Sequence, residues 1–337
     1  MTRMIRRYMV PLLTFVGLAV ASVSHSAELT VYYGATREHM EPVLKAFADA
    51  HPQITVKSFR APTEELAATM DMELKAGRPK FDVICSVYSP IWTLQQRYKS
   101  FRRLSPREGE HILQGLRDPE GIQVPFGFGI YVIQHNTKLV SKAEAPRKWA
   151  DLLDPKWNNK IVLADPRSSG SVHALVWYIT QHMAPKGTPY GWAYFEELKK
   201  LNPRYVASHG TIGEMVNIGE RPIGLQVMQV VETAVAKGEP IWWTFPEDGI
   251  PAETSMIAVR ADSPNQKAAD DFTNFMVSKE GQSAISRHMG FSPVRDDIPF
   301  AYKDGTQVKN LNVIRRDDIW IANNRADVIA RFRDIIK

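Results

Sequence analysis

A single cysteine, Cys85, stands in a chain of 337 residues. That scarcity excludes a disulfide framework and any zinc site needing two or more Cys ligands. Cys85 lies in the apolar run Phe81-Asp-Val-Ile-Cys-Ser86 and reads as a buried, inert thiol, so the fold must be held by its core. A strong charge of one sign is also missing. There are 42 Lys and Arg against 37 Asp and Glu, a net charge of +5, and setting aside Arg3, Arg6 and Arg7 of the N-terminal segment leaves 39 against 37. That balance carries no nucleic-acid footprint. Nucleophile and metal motifs are lacking as well: no Gly-x-Ser-x-Gly elbow, Walker loop or His-Glu-x-x-His occurs. The nine histidines are scattered, and Cys85 has no local sign of activation. No enzyme activity, metal or cofactor is therefore expected. Low-complexity segments, tandem repeats and Gly/Ser-rich linkers are absent too.

What is present begins with the N-terminus. Arg3, Arg6 and Arg7 precede an apolar run from Val10 to Val23, then Ser24-His25-Ser26-Ala27. The order basic, apolar, small is that of a cleavable export signal, and the run is short for a membrane span of ~20 residues. Residues 1–27 are read as a signal peptide cut after Ser26 or Ala27, with an uncleaved anchor as the alternative. No Cys follows the apolar run, so a lipid anchor is not indicated. Beyond residue 27 no apolar stretch is long enough to span a bilayer, and a soluble exported protein is expected.

The remaining ~310 residues are enough for two lobes, each with its own core. Strands are predicted at Leu29 to Tyr33, Ile54 to Phe59 and Phe81 to Cys85. Helices between them carry Met40, Val43, Leu44 and Phe47 at helical spacing, or run from Thr63 to about Ala76. Strand alternating with helix at these lengths indicates a parallel sheet covered by helices. A second such unit follows. Its strands lie at Lys160 to Ala164, Arg204 to Ala207 and Pro222 to Met228, its helices at Val172 to Met183, Tyr194 to Leu201 and Val231 to Lys237, and Thr211-Ile-Gly-Glu214 has capping-box spacing. Two β-rich segments, Gly127 to Gln134 and Glu253 to Val259, read as crossings between the units. Helices close the chain at Asn265 to Ser278, Glu280 to His288 and Arg325 to Ile336.

In open α/β sheets ligands bind beyond the carboxyl ends of the strands. The loops there hold Thr36 and Arg37, Ser86, Ser168-Ser169-Gly170-Ser171, and Ser208-His209-Gly-Thr211. Each precedes a predicted helix, whose unpaired N–H groups and partial positive charge suit an anion. Ser or Thr at such a place also serves simply as an N-cap; the serine cluster exceeds what one cap needs. Arg37 would add a planar fork matched to carboxylate or phosphate. Glu232 and Glu247-Asp248 are candidate ligand-contacting acids, and Trp242-Trp243 either fill the core or wall the cleft.

These features together resemble the periplasmic solute-binding proteins of ABC importers, in the branch of ferric-iron, phosphonate and phosphosugar binders. The resemblance is carried by Leu29-Thr-Val-Tyr-Tyr-Gly34, Phe81-Asp-Val-Ile-Cys-Ser86, Val124-Pro-Phe-Gly127, Trp149-Ala-Asp-Leu-Leu153, Asp165-Pro-Arg-Ser-Ser-Gly170, Gly219-Glu-Arg-Pro-Ile-Gly224 and Phe245-Pro-Glu-Asp-Gly249. It implies an α/β, two-lobed periplasmic-binding-protein fold. Each lobe would be a mostly parallel sheet flanked by helices, the lobes joined by two hinge strands and closing on a ligand. The implied lobes are residues 28–126 with 256–337, and 127–255. Iron binders of that branch hold metal with two adjacent tyrosines, where this chain has Met228-Gln229-Val230. Tyr32 and Tyr33 lie on a strand and point to opposite faces. The resemblance therefore implies a small anionic solute of phosphonate or phosphosugar type, held by Thr36, Arg37, Ser86, Ser168, Ser169 and Ser171. His209, Gln229 and Glu232 would face its polar body. The implied setting is the periplasm, with an inner-membrane ABC permease as transient partner, no nucleic acid, and a monomeric state. The alternatives are a ferric-iron or metal-chelate receptor, or a ligand-presenting subunit for a membrane sensor.

Overall fold

The computed structural model describes residues 27–336, so the predicted export signal, Ala27 aside, lies outside the described residues. The chain opens with β1 (Ala27–Tyr33), α1 (Arg37–Ala50), β2 (Ile54–Arg60), α2 (Thr63–Lys75), β3 (Val83–Val87) and α3 (Tyr88–Tyr98). β1 pairs in parallel with both β2 and β3. Side chains alternate across these strands. Val31, Tyr33, Val83 and Cys85 pack with Met40, Val43 and Phe47 of α1, whereas Tyr32 and Ile84 pack with Leu66 and Met70 of α2. Both faces of β1 and β3 are covered, which is why these two strands read as near-continuous apolar runs, whereas the edge strand β2 is largely exposed.

After β4 (Val124–Asn136) the second unit comprises β5 (Ile161–Ala164), α4 (Val172–Trp177) continued by a widened turn Tyr178–His182, α5 (Trp192–Lys200), β6 (Arg204–Val206), α6 (His209–Asn217), β7 (Ile223–Val227), α7 (Met228–Ala236) and β8 (Ile241–Thr244). β5 pairs in parallel with β6 and β7. Ile161 and Leu163 face Trp149 and Phe195; Val162 and Ala164 face Ile212 and Val216. The two halves meet at β4 and at β9 (Ile250–Val259), which hold both predicted crossings. The sheet order is β2-β1-β3-β9-β4-β7-β5-β6. β9 runs antiparallel to β3 and to the first part of β4, and the last part of β4 runs antiparallel to β7 and β8.

The C-terminal part adds α8 (Gln266–Val277), α9 (Lys279–Met289), β10 (Val313–Arg315), which pairs with β9, and α10 (Asp318–Ile336). Phe272 of α8 and Ile285 of α9 join the core of α1. α10 spans both halves: it lies along α3, Arg325 reaches Glu64 of α2, and Val328, Phe332 and Ile335 enter the core of Trp149 and Phe195. Among the described residues no helix is long and apolar enough to cross a membrane.

Candidate functional site

A cleft lies where the carboxyl ends of the parallel strands converge. It encloses about 800 Å³ with its open mouth counted. α1, α2 and α3 begin at its wall in one half of the sheet and α4, α6 and α7 in the other, so residues at or beside six helix starts line it, among them Thr36, Thr63, Ser86, Ser171, Ser208 and Gln229. Helix starts present unpaired N–H groups, and their dipoles favour negative charge.

Thr36, Ser86, Ser168, Ser169, Ser171, His209 and Gln229 all line this cleft; Arg37 and Glu232 do not. The Arg37 side chain is 68% exposed and pairs at 3.6 Å with Glu41 one helical turn on. Glu232 lies one turn along α7 from Gln229 and accepts the Lys303 backbone N–H at 2.7 Å; burial raises its pKa. The cation of the cleft is instead Arg60, at the end of β2, whose Nε donates to the Ala35 carbonyl at 3.2 Å. Its two Nη groups make no hydrogen bond or ion pair among the described residues. Among the described residues Arg60 is the one Lys or Arg lining the cleft, and Glu253 of β9 the one acid. Neither was singled out from the sequence as a site residue.

The hydroxyls are held by directed contacts. Gln226 Nε2 donates to the His209 carbonyl at 2.8 Å, which leaves Gln226 Oε1 to accept from His209 Nδ1 at 2.6 Å. His209 Nε2 is then an acceptor, with Ser171 Oγ at 2.8 Å and Tyr131 Oη at 3.1 Å. Ser169 Oγ is 3.1 Å from Ser171 Oγ. Burial lowers the His209 pKa to about 4, so the imidazole orients hydroxyls and supplies no charge at neutral pH. α6 is capped by Ser208, whose Oγ accepts from Thr211 N–H at 3.3 Å. The helix therefore starts two residues before the Thr211 of the expected capping box, and this brings His209 to the cleft.

The two walls touch across the cleft. Ser168 O accepts the Glu64 N–H at 3.3 Å. His39 Nε2 lies 3.0 Å from Thr233 Oγ1, and Glu38 pairs with Lys237. Thr233 donates to Gln229 O at 2.8 Å, so His39 Nε2 is the donor to Thr233. A Cβ on Gly170 would stand 2.5 Å from Thr63 Cγ2 and 3.0 Å from Val87 Cγ2; only glycine fits that approach.

Three buried atoms lining the cleft have no hydrogen-bond partner: Ser86 Oγ, Gln229 Oε1 and Glu253 Oε2. Buried polar groups in folded proteins are nearly always paired, and these three unpaired atoms converge on one cleft. Among the described residues Tyr33 is the only tyrosine lining the cleft, and its hydroxyl is bonded to Glu41; the Tyr32 hydroxyl goes to Glu73 at 2.9 Å on the other face. Paired phenolates are thus absent from the residues lining the cleft. The one group of potential metal ligands among the described residues, His111 with Asp296 and Asp297, is outside it, and Asp297 is bonded to Arg295 and paired with Lys279.

Comparison with known proteins fits this geometry. Residues 79–319 match the model of a family described as bacterial extracellular solute-binding protein. An uncharacterized protein of Haemophilus influenzae is 25% identical over 280 residues, 79% of this chain and 78% of its own. A putative 2-aminoethylphosphonate-binding periplasmic protein of Salmonella typhimurium is 28% identical over 172 residues, about half of each chain at 49%. The periplasmic binding protein AfuA from Actinobacillus pleuropneumoniae, solved with exogenous fructose-6-phosphate bound, superposes with a TM-score of 0.82 at 21% identity, over 92% of this chain and 98% of that one. That likeness establishes the two-lobed fold.

Proposed function

Since the chain belongs to the bacterial extracellular solute-binding protein family, we propose that it is a periplasmic receptor capturing a small anionic organic solute, of phosphonate or phosphorylated-sugar type, between residues 28–126 with 256–337 and residues 127–255. The observation that carries this reading is the convergence of helix starts from both halves, together with Arg60 and the serine hydroxyls, on one cleft. The names of two relatives support the ligand class: 2-aminoethylphosphonate for one and fructose-6-phosphate for the other. β4 and β9 serve as the hinge, and the cross-cleft contacts hold the closed form. Closure presents both lobes to an inner-membrane ABC permease, which takes the solute; the receptor acts as a monomer and turns nothing over.

Titration calorimetry and thermal unfolding of residues 27–337 test this against phosphonates, sugar phosphates, inorganic phosphate and ferric citrate. An organic phosphonate or phosphate is expected to bind one to one and raise the unfolding midpoint; at ~100 times its dissociation constant it adds ~2.7 kcal/mol. A response to ferric citrate alone overturns the reading.

A further inference from the structure

The cleft has a negative pole as well as a positive one. Glu253 and Ser255 point from β9 into the cleft, while Ala252 and Thr254 between them line a groove on the opposite face. Glu253 is 3% exposed, and its Oε2 has no partner. Gly129 of β4 is the register partner of Glu253, and the Gln229 Oε1 beside it is likewise unpartnered. Gln229 is pressed close to β4: a Cβ on Gly129 would stand 2.7 Å from that oxygen. Arg316 acts on Glu253 electrostatically; its Nε pairs with Asp318 at 2.5 Å, its Nη2 donates to the Thr254 carbonyl at 3.4 Å, and its buried Nη1 is itself without a partner, with no hydrogen bond to Glu253.

Two adjacent unpaired acceptors cannot be satisfied by an anion or by an apolar group. They require a donor-rich group, and a charged one returns most to a buried carboxylate. Resting on the anion-receptor reading above, we propose that Gln229 and Glu253 receive an ammonium group of the solute, so that the site selects zwitterions, aminoalkyl phosphonates or phosphates, over plain anions of the same size. Arg60 and the helix starts take the anionic end. Burial pushes the free Glu253 carboxyl up to about 7, and an ammonium alongside favours its charged form.

The test compares 2-aminoethylphosphonate, ethylphosphonate and fructose-6-phosphate by calorimetry on the unaltered protein, then on Glu253→Gln. The unaltered protein is expected to bind 2-aminoethylphosphonate at least ~30-fold tighter than ethylphosphonate, and Glu253→Gln to abolish most of that preference by weakening 2-aminoethylphosphonate binding far more than ethylphosphonate binding. Ethylphosphonate or fructose-6-phosphate binding as tightly as the amine overturns the proposal, and so does an equal loss for all ligands in Glu253→Gln. Failure of all three to bind the unaltered protein is a separate result that sinks the anion reading itself. The ligand series needs no variant, so a poorly folding Glu253→Gln leaves the proposal falsifiable.

Discussion

At the scale of single residues, two arginines separate a placed charge from a solvated one. Arg60 lines the cleft with its Nη groups in no hydrogen bond or ion pair among the described residues, whereas Arg37 is exposed beside Glu41. Arg60→Ala is expected to weaken anion binding about 10- to 100-fold, the worth of a charge-assisted hydrogen bond, by calorimetry at unchanged far-UV dichroism. Arg37→Ala is expected to change it less than ~3-fold, because an exposed ion pair is worth ~0–1 kcal/mol. The sequence singled out Arg37 and passed over Arg60. Thr36 and Arg37 follow a strand and open a helix, the usual place for an anion contact, but the side chain at Arg37 faces away while the hydroxyl at Thr36 does not. Arg60 ends the edge strand β2 and carries no loop signature. Glu253 escaped because a lone acid at a strand crossing reads as solvated. Gln229 and Glu232, three apart on α7, differ by an orientation that no local pattern encodes.

At the scale of elements, the parallel units were legible because strands buried on both faces leave uninterrupted apolar runs. The contacts between elements were not, since they join positions far apart in the chain. The approach of Gly170 to Thr63 is such a contact. Gly170→Ala is expected to hold the α4 loop off the start of α2, lowering ligand affinity by about 10-fold through impaired closure. Stability of the free protein should be little affected; calorimetry and the radius of gyration with and without ligand distinguish the two. Ser208→Ala removes the α6 cap and is expected to cost about 1 kcal/mol in urea unfolding. It should also weaken binding by loosening His209, whose ring organises Ser171.

The molecule as a whole carries a pH signature. Burial lowers the pKa of His135, His173 and His209 from 6.5 to about 4. Between those values the folded chain binds fewer protons than the unfolded chain, so stability rises with pH, by about 1.4 kcal/mol per pH unit for each proton of difference. Glu253, raised to about 7, has the opposite sign: its contribution is fully present below 4.5 and is lost as pH climbs through 7. Glu232 and Asp248 are raised by burial in the same sense as Glu253, and His39 and His182 are lowered in the same sense as the three histidines. The five histidines outweigh the three carboxyls, and the unfolding midpoint of the ligand-free protein is expected to rise from pH 5 to pH 6.5; a flat or falling profile contradicts the buried neutral imidazoles. The position of α10 bears on how long a solute stays. Its Arg325 pairs with Glu64 of α2, both side chains about 15% exposed or less, while its Val328, Phe332 and Ile335 enter the core of the other half. The helix is gripped on both sides of the cleft, and parting the halves must loosen one grip or the other. The helix is thus a brake on reopening: in stopped-flow, removing both partners in Glu64→Gln with Arg325→Met should shorten the solute's residence time while leaving its rate of entry nearly unchanged.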